Sequence, residues 1–465
     1  MSSDSTLSSA LADALRAAGA STVLLPADAG FREELRVFNL HTRHDPDVVV
    51  AARSAEDVAA ALRVAQEREV PVTALGLGHG VLADTEGGIA ISTRGLASVQ
   101  LDLDDRVVRV GAGTPWKEVV ETVTPHGLAV LCGSSPEVGV VGYVLGGGMG
   151  PIARSYGFTA DHIRSIEIVT PADGLVVASA DSNPELFWAL RGGGKLGFGV
   201  VTAVTLHAFP IETIYGGGLF YGTEDVKAVL DAFSSWSAAL PVTASASIAI
   251  MNLPPLPELP EPLRGRYVAH LRFASVDDAD EAEEVLAPMR AVATPLIDAV
   301  GVLPYSQIGL IHNDPTEPMP GNEGGMLLTS LRQETIDTLY SVFGPGAQLP
   351  LVGIEIRTLG GRLAEQPLEP NAVSGRDAAY SVFVLGAPVP ELLDTAVPQA
   401  IGAVFAALEP WRADELLINF VGRANGPDVL DRVWRPEVVE RLHALRRAAD
   451  PNGILAGPRA GVLTR

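Results

Sequence analysis

Leu75-Gly76-Leu77-Gly78-His79-Gly80 follows directly on VPVTA (70–74), a run that reads as a strand. Alternating glycines let successive backbone N–H groups point the same way, which makes a nest for a phosphate or pyrophosphate. His79 would stand beside whatever the nest holds. Taken alone, the loop reads better as a tight turn with an incidental histidine. Two further loops extend the pattern: GSSPEVGVVGYVLGGGMG (133–150) and RGGGKLGFGVVT (191–202). So many glycines in an apolar frame suggest backbone laid flat against a large rigid ligand, and Val200 could offer strand backbone to a nucleobase edge. Gly192 to Gly197 also fits G-x-G-x-x-G, but it follows a helix and precedes a strand, the reverse of a dinucleotide fingerprint.

Working outward, 45–210 reads as α/β. Ser54-Ala-Glu-Asp57 resembles a capping box before the helix DVAAALRVAQEREV, and Asp104-Asp105 marks a hairpin turn. Asn183-Pro184 is placed to cap the helix ELFWALR. Between about 211 and 410, strands such as ASASIAIMN, RYVAHLRFAS, GIEIRTLGG and AAYSVFVLGA alternate with helices. This predicts an antiparallel sheet with helices on one face. PEVVERLHALRRAADPNGIL adds a last helix with a stop.

The chain has 465 residues, enough for two or three domains, and 47% hydrophobic content, enough for large cores. Net charge is −23 with a pI near 4.7, a poor match to nucleic acid or an anionic membrane. Cys132 is the single cysteine, which excludes an intramolecular disulfide and any multi-cysteine zinc site, and no metal is expected. The first twenty residues lack a basic n-region, and no run is long enough to span a bilayer, so a cytoplasmic, soluble protein is expected.

The order and spacing of the three loops resemble the FAD-linked oxidases of the vanillyl-alcohol-oxidase superfamily, in particular the berberine-bridge-enzyme-like branch. His79 matches the histidine of that family's first loop. Val138, Gly139, Gly142, Leu145, Gly146, Gly147, Gly148 and Gly150 match its second, and Arg191 to Thr202 its third with one extra residue. Asn419-Phe420 resembles the family's Asn-Tyr near the flavin ring. The resemblance implies a two-domain α+β fold of the PCMH type: an FAD domain from 1–210 with 411–465, and a substrate domain from 211–410. It implies FAD bonded through His79, with Gly76, Gly78, Gly80, Ser135, Val138, Gly139, Gly142, Gly146, Gly148, Val200 and Asn419 around it. Ser135 stands where many relatives have a second flavin-linking cysteine, and Cys132 lies three residues early, so a single covalent bond is implied. Gly80 replaces the family's serine, Leu77 one of its glycines, and the asparagine of the third loop is absent.

The activity implied is removal of a hydride from a C–H beside oxygen or nitrogen of a small, secondary-metabolite substrate, with O₂ as acceptor. The alternatives are a flavin-dependent oxygenase and a noncovalent flavin dehydrogenase, and a homodimer is allowed. In the strand Val352 to Gly361, Glu355 and Arg357 point to one side and Ile354 and Ile356 to the other. Relatives aim this strand at the flavin, so Glu355 is the expected base, its pKa raised by burial, with Arg357 holding charge beside it. Glu369 is the rival base, and Tyr143 either reaches the ring or packs in the core.

Overall fold

The computed structural model describes residues 3–423 and 429–456, so parts of the 411–465 segment lie outside the described residues. Ser54 Oγ accepts the N–H of Asp57 at 3.3 Å and opens the helix Ala55–Arg68, as the capping pattern predicts. Asp57 in turn accepts the N–H of Ser21 at 2.7 Å and that of Arg53 at 2.9 Å. The helix is thereby fixed on a small sheet ordered Val23–Leu24, Val48–Ala51, Ile89–Ser92, Val72–Leu75. Its last three strands run parallel. Leu11, Leu15, Val58, Leu62, Val50 and Ile91 fill the core between helices and sheet.

The second sheet corrects the α/β reading of this half. Its five strands, in the order Gly174–Ser179, Ile163–Thr170, Val200–His207, Val107–Gly111, Val99–Asp102, are all antiparallel. The hairpin at Asp104-Asp105 joins the last two, and Arg106 takes the left-handed φ of 50° that such a turn needs. Asn183 precedes the helix Pro184–Gly193 as expected but makes no cap: its Nδ2 donates back to the Val177 carbonyl at 2.9 Å. Its side chain therefore ties the helix start to the preceding strand.

The third sheet is antiparallel throughout. Its path runs Ile297–Asp298, Thr213–Tyr221, Tyr267–Ser275, Ala244–Asn252, Leu351–Thr358, Tyr380–Gly386, Glu323–Leu328, with Gly301–Pro304 also pairing Thr213–Tyr221. One face carries Ile248, Ile250, Leu271, Phe273, Ile354, Ile356, Val382 and Val384. The helices Val226–Ala238, Ala279–Arg290, Gln333–Val342 and Ala396–Leu408 bury that face. The two-residue period then turns Ser247, His270, Arg272, Glu355 and Arg357 the other way. Among the described residues, no helix is long and apolar enough to cross a membrane. The tail after the helix Pro436–Ala449 returns to the first sheet: Val72 donates to the Ile454 carbonyl at 2.8 Å and accepts from Ala456 at 2.7 Å.

Candidate active site

The first glycine loop leaves the strand Val72–Leu75 and lies against Phe38 and Asn39, whose N–H groups donate to the carbonyls of Leu77 and Gly78. Gly78 has φ 71°, and a Cβ there would stand 2.3 Å from Val37 Cβ, so only glycine fits. The His79 ring stacks on Phe38 at 3.6 Å, tilted by 17°. Its Nε2 is buried and has no hydrogen-bond partner among the described residues. Burial lowers the His79 pKa to about 4, against a smaller opposing pull from the Glu137 backbone. The imidazole is therefore neutral at pH 7.

Lys195, from the third loop, brings its Nζ to 3.4 Å from the position a Gly80 Cβ would take. Burial lowers its pKa to about 8, and no carboxylate among the described residues pairs with it. An uncompensated ammonium is costly in such surroundings. The third loop otherwise packs tightly. Arg191 donates to the carbonyls of Phe187 and Pro370, and Val200 buries its side chain and pairs with Val169. Any contact of Val200 with a cofactor would come from its backbone.

The second loop passes beneath the first. Pro136 and Val138 accept the N–H groups of Lys117 and Trp116, which fastens the loop to the start of the helix Trp116–Val123. A Cβ on Gly139 would meet Leu77 at 3.4 Å, and Gly142 faces open space. Ser135 is buried with its Oγ unpartnered. The glycines further on have another reason than the one the sequence suggests. A Cβ on Gly146 would stand 2.1 Å from Asn419 Oδ1, on Gly148 2.4 Å from Tyr143 Cε1, and on Gly150 1.9 Å from the Cys132 carbonyl. These positions are small so that protein can pack on protein. Tyr143 is the side chain they make room for: it meets Trp116 edge-on at 5.4 Å, and its hydroxyl is buried without a partner. Burial raises the Tyr143 pKa, so the phenol stays protonated. Asn419 Nδ2 donates to the Tyr143 carbonyl at 2.8 Å, which joins the C-terminal segment to this loop.

On the sheet, Glu355 is 3% exposed and accepts hydrogen bonds from three groups. Ser247 Oγ and Arg272 Nη1 donate to Oε1 at 2.8 and 2.5 Å, and Arg357 Nε donates to Oε2 at 2.8 Å. His312 Nε2 stands 3.6 Å from Oε1, beyond a hydrogen bond. Here the expectation for Glu355 fails. Burial does push its pKa up, but the Arg357 and Arg272 guanidiniums outweigh burial and hold it well below the usual carboxylate range. Glu355 is a permanent anion, not a base poised near neutrality. Glu369 is no substitute, because its side chain is exposed on the surface loop that follows. Arg357 also lies over the Phe420 ring at 5.1 Å, which brings Tyr143, Asn419, Phe420, Arg357 and Glu355 into one cluster.

Three groups here escape the sequence. Arg272 and His270 sit on a strand buried at every position, so no alternation exposes them. His312 follows an irregular turn and carries no motif. Burial and the two guanidiniums lower its pKa, despite the pull of Glu355, and its ring nitrogens make no hydrogen bond.

Residues 46–180 match the family described as "FAD binding domain". An uncharacterized FAD-linked oxidoreductase of Bacillus subtilis is 24% identical over 440 residues, 92% of this chain and 93% of that protein. The chain is an FAD-linked oxidoreductase. A second relative of this oxidoreductase, (R)-6-hydroxynicotine oxidase of Paenarthrobacter nicotinovorans, is 27% identical over 65% of the chain and 64% of its own length. Among solved structures, the glucooligosaccharide oxidase of Acremonium strictum superposes with a TM-score of 0.79 over 96% of this chain and 98% of its own, at 20% identity. That protein carries a 6-S-cysteinyl, 8α-N1-histidyl FAD; the likeness to it establishes the fold. The residues described above suit FAD: a neutral histidine with a free nitrogen, a half-buried ammonium without a counter-ion among the described residues, and Gly142 open on one side.

Proposed function

We propose that the protein is a flavin-dependent oxidase that holds FAD through a single covalent bond at His79 and oxidises a small alcohol or amine, with O₂ as acceptor and hydrogen peroxide as product. The observation that carries this reading is His79, whose neutral ring presents a buried Nε2 that no protein group uses. Neutral imidazole is a competent nucleophile near pH 7. The oxidase names of the relatives support the choice of acceptor, and the family resemblance supports a secondary-metabolite substrate. In this reading 1–210 and 411–465 hold the cofactor, and 211–410 supplies the substrate wall.

Bound FAD supplies the hydride acceptor. The first loop and Lys195 hold its diphosphate, and the loops at Gly139 to Gly142 and Asn419 flank it. Glu355 keeps Arg272 and Arg357 in place on the facing sheet. Hydride removal beside an O–H or N–H needs a proton acceptor, and that role passes from Glu355 to His312, which is neutral and lines the cleft.

Acid precipitation of the purified protein tests the bond. The pellet is expected to stay yellow and fluorescent, and His79→Ala to release its flavin. Because His79 titrates at about 4 in the folded protein, attachment of added FAD to apoprotein should be level from neutrality down to mildly acid pH and fail as pH approaches that value. Free FAD in the supernatant of the wild type would overturn the covalent reading.

A further inference from the structure

We propose that the cleft between the third sheet and the Met149-Gly150 turn is a carboxylate site, so that the substrate of the oxidase, on the reading above, is a small organic acid whose carboxylate is held by Arg357 and Arg272. The cleft is narrow and partly open, with the third sheet on one side and Met149, Gly150 and Pro151 on the other. Three guanidiniums, those of Arg154, Arg272 and Arg357, line it, and no aspartate or glutamate does. Glu355 lies just behind and neutralises one of the three charges. The cleft wall therefore carries an excess of two positive charges in a protein whose net charge is −23.

The three arginines are not equivalent. Arg154 is mostly occupied in binding backbone: Nε donates to Ala244 O at 2.8 Å, Nη2 to Leu240 O at 2.9 Å and to Pro241 O at 3.2 Å, and Nη1 to Leu359 O. It contributes charge and a single spare N–H, on Nη1. Arg357 spends only Nε on Glu355, and no acceptor among the described residues meets its terminal nitrogens. Arg272 uses Nε on His270 and Nη1 on Glu355, which leaves Nη2. His312 adds a ring that is 6% exposed and makes no hydrogen bond. Of these cleft groups only His312 has buried nitrogens without a partner; the spare arginine donors open onto the cleft, and a carboxylate satisfies their planar fork better than any neutral group.

The remaining walls, among them Ala274, Ile311, Leu363 and Met149, are apolar and suit a carbon skeleton.

Calorimetric titration of the flavin-loaded protein tests the site, with benzoate and hexanoate as probes against benzamide, hexanamide and phenyl phosphate. The acids are expected to bind at least about tenfold more tightly than the amides, as charge-assisted pairing requires. Arg357→Gln should remove most of that preference while the visible flavin spectrum shows the cofactor retained. Glu355→Gln, which removes the internal anion at constant size, should tighten the acids further. Equal binding of acid and amide, no saturable binding of either acid, stronger binding of phenyl phosphate than of the acids, or weaker acid binding by flavin-loaded Glu355→Gln would each overturn the proposal. Should Arg357→Gln fail to fold, the comparison of acids with amides in the wild type and the Glu355→Gln result decide alone. A protein that cannot retain flavin would instead overturn the oxidase reading.

Discussion

His312 and Glu355 stand 3.6 Å apart and have opposite assignments for one reason: which charges surround each. Two arginines touch Glu355 and keep it ionised, while burial and the same arginines keep His312 neutral. Loss of a general base slows a reaction by ~10²–10⁴. His312→Gln is therefore expected to slow anaerobic flavin reduction by a factor in that range, with flavin content unchanged. In stopped flow, the wild-type reduction rate should fall only on the acid side of the ordinary histidine pKa, because the ring must lose its proton to act. An unchanged rate in His312→Gln would remove it from the mechanism. Cys132 offers a contrast. Burial pushes its thiol up to about 12, so it should resist alkylation in the folded protein, and Cys132→Ser should keep its flavin after acid precipitation.

At the scale of elements, the parts that declare themselves in the sequence are those with local rules. The Ser54 cap and the Asp104-Asp105 hairpin depend on residues a few positions apart, and the structure contains both. The glycine loops were legible as a set, yet the purpose of Gly146, Gly148 and Gly150 was not. Their neighbours Asn419, Tyr143 and Cys132 meet them only in the folded chain. The strand Tyr267–Ser275 is buried at all nine positions, so the pattern that marked Glu355 and Arg357 on their strand is missing for Arg272. The first loop gives a direct test of packing at this scale. Gly78→Ala would combine a left-handed φ with overlap on Val37, and overpacking alone costs ~1–3 kcal/mol. Its urea midpoint should drop accordingly, and its FAD affinity with it. Gly142→Ala meets nothing within 4 Å, so its stability should match the wild type.

For the molecule as a whole, one carboxyl contributes a distinctive part of the dependence of stability on pH. Glu323, on an edge strand two strands away from Glu355, has its pKa raised by burial from 4.5 to about 7, with Arg423 pulling weakly the other way. Between those values the folded protein holds a proton that the unfolded chain has released. The contribution of Glu323 to stability therefore falls as pH rises through that window and is level above it, a loss of up to ~3 kcal/mol, which the lowered pKa of His79 opposes below pH 6.5. Glu323→Gln should abolish this slope and be the more stable protein at pH about 8 in urea denaturation. A gap between the wild-type and Glu323→Gln midpoints that stays constant from acid to mildly alkaline pH would contradict the burial of that carboxyl, since the buried histidines act on both proteins alike.

Val72, which leads into the His79 loop, takes its outer partner from Ile454 and Ala456, so 454 − 72 = 382 residues of chain separate the two sides of that pairing. On a ribosome adding about 5–20 residues per second, the strand is made roughly 20–80 s before the segment that completes it. During that interval the nest has one unfinished flank. Cofactor loading therefore belongs to the period after translation has passed Ala456, and nascent chains stalled short of that point should emerge without flavin even when FAD is abundant.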